Sequence, residues 1–104
     1  MIKVKLTWDQ LAVLHDAHFE KEITEPGDHG DLLRELRGDL CRYFDKYLNR
    51  GHKTYRISFT RAQALTIMQL WMGKRLPPDA AHVIQDLIGV IDQVKHQSKI
   101  ISVL

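Results

Sequence analysis

At 104 residues the chain is long enough to bury one hydrophobic core without staples, and its single cysteine, Cys41, excludes an internal disulfide. Hydrophobic residues make up 44% and charged residues 27%, so neither disorder nor a membrane span is indicated, and no apolar run reaches the roughly 20 residues a spanning helix requires. The formal charge of +2 leans weakly toward anionic partners and decides nothing alone.

Ile2, Val4 and Leu6 alternate with Lys3 and Lys5, the period of a half-buried strand. The segment lacks the continuous apolar stretch of a signal peptide, and a cytoplasmic location is expected. Thr7 with Gln10 three residues later forms the pattern of a capping box, which opens a helix from about residue 8 to about residue 22. Its expected core stripe is Trp8, Leu11, Ala12, His15 and Phe19, leaving Val13 outside it. Turn formers at residues 25–30 interrupt this helix, and Asp28 or Asp31 is expected to cap the next. There Leu32, Leu33, Leu36, Leu40, Tyr43, Phe44 and Tyr47 make a broad apolar stripe that Gly51 terminates.

Tyr55, Ile57 and Phe59 alternate with Thr54, Arg56 and Ser58 in a second strand, and Thr60 with Gln63 repeats the capping box 53 residues after the first. The third helix carries Ala64, Leu65, Ile67, Met68, Leu70, Trp71 and Met72 nearly all round its axis, and Gly73 stops it. After Pro77 and Pro78, a fourth helix with Val83, Ile84, Leu87, Ile88, Ile91 and Val94 on one stripe is expected to end near His96 or Gln97. The tail Ile100, Ile101, Ser102, Val103, Leu104 reads as a third strand, a continuation of the helix or a contact segment.

The expected fold is therefore α+β and mostly helical. Two strand-helix-helix halves, residues 2–49 and 54–97, contribute a small two-stranded antiparallel ribbon packed on four helices. The halves read either as an internal repeat or as two junctions that solve the same capping problem independently.

Three functional readings follow from the residues. The preferred one is a non-enzymatic protein-protein interaction or adaptor module that self-associates as a homodimer, because a domain of this size is expected to leave Val13, Ile67 and Trp71 outside its core. Gly38 and Gly89, each inside a helix, fit either a close approach by another backbone or a local bend at a tolerant position. The second is nucleic-acid binding through Lys3, Lys5, Lys53 and Arg56 on the solvent side of the strands, against the alternative that such charges only guard strand edges. The third is a metal site at His15, His18 and Glu22, which share a helix at spacings of three and four, with Asp28 or His29 completing it. No enzyme is expected: the chain has no P-loop, dinucleotide glycine pattern or nucleophile elbow, and Cys41 reads as a small apolar filler. No cofactor is implied.

Overall fold

A computed structural model describes residues 2–103, with side chains described as far as Val94. Strands β1 (Ile2–Thr7) and β2 (Thr54–Phe59) pair antiparallel, with Val4 opposite Ile57 and Lys5 opposite Arg56. Alternation sends Ile2, Val4, Leu6, Tyr55, Ile57 and Phe59 to one face, where the three β2 residues and Leu6 are buried. Lys3, Lys5, Thr7, Thr54 and Arg56 are exposed on the other. Helices α1 (Trp8–Glu20), α2 (Gly27–Leu48), α3 (Arg61–Trp71) and α4 (Ala81–Val103) surround the inner face, since a two-stranded ribbon is not stable without such cover. The fold is α+β and mostly helical.

Both capping boxes form. The Thr7 and Thr60 hydroxyls each accept from the backbone N–H three residues on, at 3.1 Å, and Gln10 and Gln63 return the bond to the cap N–H at 2.9 and 2.8 Å. The register maps onto itself under the shift that carries Thr7 to Thr60: Ile2 pairs with Phe59, and their shifted counterparts Tyr55 and Leu6 pair with each other. The same shift carries His18 to Trp71, and these two side chains touch in the core.

Helix α1 departs from expectation. Its buried residues are Leu11, Leu14, Ala17 and His18, whereas Trp8 is 42% and Phe19 69% exposed. Val13 packs partly against the core instead of standing outside it. The core stripe is thus rotated away from the line through Trp8, Ala12, His15 and Phe19. A buried imidazole permits this rotation because both its ring nitrogens find partners. Trp71 donates its indole N–H to His18 Nε2 at 3.0 Å, so the ring proton resides on Nδ1, which donates to the Leu14 carbonyl at 2.8 Å. Phe44 and Trp71 meet the ring edge-on, with centroids 5.3 Å away in both cases.

The same contact corrects the reading of α3. Its two sides are separated as expected, but Ile67 and Trp71 face inward, at 0% and 2% exposure, while Leu65 and Met72 face outward. The helix is therefore not surrounded on all sides. In α2, Leu33, Leu40, Cys41 and Phe44 are buried, and Leu32 is exposed. Pro26, not an aspartate, occupies the cap of α2, and Asp28 lies in the first turn, where negative charge is favoured.

Between α1 and α2 the chain is held by arginines: Arg34 donates to the carbonyls of Ile23 and Glu25, and Arg37 to that of Lys21. This brings the Glu25 carbonyl against Gly30, where a Cβ would lie 1.7 Å from the oxygen. Gly38 and Gly89 have no such neighbour. An added Cβ at Gly38 would meet only the Arg42 guanidinium at ordinary contact distance, and at Gly89 it would meet nothing. Close backbone approach within the chain therefore explains Gly30 and not the other two. Helix α1 ends two residues before the expected stop. Helix α4 continues to Val103, so the backbone of the tail is helical rather than a third strand. The side chains of Ile100, Ile101 and Val103, and all of Leu104, lie outside the described residues.

Candidate nucleic-acid interface

Of the three residue sets expected from sequence, the structure assembles one. The partner-binding set Val13, Ile67 and Trp71 is enclosed wholly or partly by the chain's own helices. The metal set is dispersed. His15 has its ring nitrogens 3.0 Å from Asp16 and 3.2 Å from Asp45, and His18 has both nitrogens engaged in the core. Glu22 lines a small cleft of about 210 Å³ with Lys21 and Lys74. Among the described residues no three His, Cys, Asp or Glu side chains are grouped to hold a metal ion. Burial pushes the Cys41 thiol above its ordinary range, as expected of a packing residue rather than a nucleophile.

The cationic set behaves differently. Lys3, Lys5 and Arg56 share the outer face of the ribbon, and Lys5 stands directly opposite Arg56. Like charges in that position repel, at a cost of a few tenths of a kcal/mol. Neither of them, nor Lys3 or Lys53, makes an ion pair with a described carboxylate. The reason extends along the chain. Residues 46–78 contain no Asp or Glu, nor do residues 1–8, and together these two stretches hold nine of the fifteen Lys and Arg. The ribbon, the loop before β2 and helix α3 are thus bare of acids, while all thirteen acids lie on α1, α2, α4 and their connections. This segregation is visible in the sequence as an acid-free run, but a net charge of +2 averages it away.

At one end of the ribbon the basic face meets an open groove of about 650 Å³, lined by Thr7, Trp8, Asp9, Leu48, Gly51, His52 and Lys53. Backbone geometry fixes this region before any ligand arrives. Gly51 takes a left-handed φ of +67°, which turns the chain out of α2 and into the loop. The loop is then tied at successive points: Gly51 N–H to the Leu48 carbonyl at 3.1 Å, His52 N–H to the Tyr55 hydroxyl at 2.9 Å, and Trp8 N–H to the Lys53 carbonyl at 2.9 Å. Arg50 lies over the Tyr47 ring, 4.9 Å from its centroid. Trp8 itself is anchored by its indole N–H, which donates to the Leu48 carbonyl at 3.3 Å, although much of its ring faces solvent. Sequence periodicity assigned this indole to the core and so omitted it from the basic surface.

The arrangement can neutralise phosphates along the ribbon and offers an aromatic face at its end. It holds no nucleophile with an adjacent base and no grouped acids. No protein-family model, no curated protein and no solved structure matches the chain.

Proposed function

We propose that this protein binds nucleic acid through the outer face of its β-ribbon, with Lys3, Lys5, Lys53 and Arg56 contacting phosphates. The observation that carries this reading is the unrelieved cross-strand pair of Lys5 and Arg56, set in strands that carry cations and no acids. A phosphate between two such side chains replaces repulsion with two charge-assisted hydrogen bonds. Guarding an exposed strand edge requires charge, but it does not require that both strands and the loop before β2 carry cations alone.

Fluorescence anisotropy with labelled oligonucleotides tests the proposal. Affinity is expected to fall steeply between about 50 and 200 mM salt, and Lys5→Gln with Arg56→Gln is expected to reduce the log–log salt slope by roughly 1.5. Arg42→Gln, which removes an exposed cation paired with Asp39 in the acidic layer, serves as the control and is expected to change little. Unchanged binding by the ribbon double variant, or none by the parent at low salt, removes the proposal.

A second reading, a self-associating interaction module, is favoured by one observation. Phe19 and Met72, at corresponding positions of the two halves, are 69% and 54% exposed. Its contact residues are then Phe19 and Met72 rather than Ile67 and Trp71.

A further inference from the structure

We infer that the groove beside Trp8 receives an unpaired base, so that the nucleic acid bound is single-stranded and Trp8 is its stacking platform. This rests on the phosphate-binding role of the ribbon proposed above and adds to it a ligand class and a second kind of contact.

Three observations lead there. The groove continues the basic face: Thr7 occupies the same outer row as Lys3 and Lys5 and also lines the groove, while Lys53 reaches it from the other strand's side. Steps of two residues along a strand cover roughly 6.6 Å, so a ligand following Lys3 and Lys5 reaches Thr7, the neighbour of Trp8, after one further step. The indole is also held and open at once. Its N–H is bonded to Leu48 and its backbone N–H to Lys53, leaving a residue that is 42% exposed with an indole little free to collapse onto the surface. A ring so fixed loses little freedom when a base stacks on it, which is the arrangement by which single strands are held without duplex geometry. Finally, Asp9 lines the same groove. A carboxylate there repels a phosphate and accepts hydrogen bonds from base N–H donors, the N3–H of an unpaired thymine as well as exocyclic amino groups, so cations flank the groove while its own chemistry suits a base. A duplex, whose base faces are already stacked, has no use for the platform.

The test compares oligo(dT) of about 16 nucleotides, a hairpin duplex and heparin, each titrated against the parent, Trp8→Ala, Trp8→Phe and the Lys5→Gln/Arg56→Gln double variant. Trp8→Ala is expected to weaken oligo(dT) binding about tenfold, Trp8→Phe to restore most of it, and neither to alter binding of duplex or heparin. The ribbon variant is expected to weaken all three ligands. Oligo(dT) is also expected to quench the exposed indole of the parent, over a constant background from buried Trp71, while heparin does not. Equal affinity of Trp8→Ala and parent for oligo(dT), with the ribbon variant still impaired, overturns the platform and leaves the phosphate reading standing. Uniform weakening of all three ligands by Trp8→Ala also overturns it, since the indole then acts only through the fold. If Trp8→Ala fails to fold, the quenching comparison decides: quenching by duplex or heparin equal to that by oligo(dT), or none at all, rejects the inference. Failure of every ligand to bind the parent rejects both readings.

Discussion

Acidification reaches the core of this protein at His18. The imidazole is fully enclosed and is held neutral by geometry, because the Trp71 indole N–H can only donate and so requires a bare Nε2. Its pKa is lowered from 6.5 to about 4, chiefly by burial and to a lesser degree by the charge of His15, with the hydrogen bond to Leu14 opposing the shift. In the unfolded chain the ring takes up its proton near the ordinary value, whereas in the folded chain it does so only near the lowered one. The unfolded state therefore binds more protons between the two values, and stability falls as pH decreases through that window. At about 1.4 kcal/mol per unit, the shift corresponds to roughly 3 kcal/mol in all, with about 2 kcal/mol lost by about pH 5. A domain of this size has roughly 5–15 kcal/mol in total, so the loss is a substantial fraction of its stability.

Urea unfolding followed by circular dichroism at a series of pH values measures this directly. The midpoint is expected to fall from about pH 6.5 toward about pH 4, with a limiting slope of about one proton from this residue. His18→Gln supplies the comparison, since an amide can accept from Trp71 and donate to Leu14 without titrating. It is expected to cost about 1–3 kcal/mol at neutral pH through imperfect geometry, and to flatten the slope across the window. Nitrogen chemical shifts report the same ring independently and are expected to show the Nδ1–H tautomer. A His18 that titrates near 6.5, or a variant with the same pH slope as the parent, refutes the argument from burial and the Trp71 contact.

Two further predictions concern residues whose surroundings differ in kind. Gly89 is exposed within α4 with open space where a Cβ would stand, so Gly89→Ala is expected to raise stability by about 1 kcal/mol, whereas Gly30→Ala, with Glu25 O in the way, is expected to lower it by roughly 3 kcal/mol or more; thermal unfolding distinguishes the signs. If the two halves also present an association surface, light scattering will show mass rising with concentration, and Phe19→Ser with Met72→Ser will abolish the rise while leaving the fold intact, because both side chains are more than half exposed. A constant monomer mass for the parent removes that reading.

What the sequence makes legible here follows the range of the interaction. Strand alternation and the Thr–Gln capping boxes involve neighbours a few residues apart, and both strands, both caps and the outward facing of Lys3, Lys5 and Arg56 are read correctly from them. The faces of α1 and α3 are not. On α1, Trp8 and Phe19 draw the stripe toward themselves by size, and His18 argues against its own line by polarity. The rotation sets His18 against Trp71, 53 residues away, in a hydrogen bond that no local pattern contains. Both misread assignments meet at this contact: Trp71 lies inward, away from the expected partner surface, and Trp8 is left at the edge of the basic face.

That reversal also connects the core to the surface. The shift that relates Thr7 to Thr60 brings His18 onto Trp71 in the helices and Val4 onto Ile57 in the ribbon, so the two halves meet through corresponding residues. Antiparallel pairing of corresponding strands sets the outer residues of both on one face. Lys3 and Arg56 are such counterparts, and with Lys5 they form one cationic cluster from two short segments. A single strand of six residues could present only its own row of charges; pairing supplies a second row about 4.8 Å away, close enough for one phosphate to contact both. The inner residues Ile57 and Phe59, fully buried, hold that register, because a slip of one position would turn the cations into the core. The hydrophobic contacts that fix the fold are therefore also what fixes the spacing of the charged face.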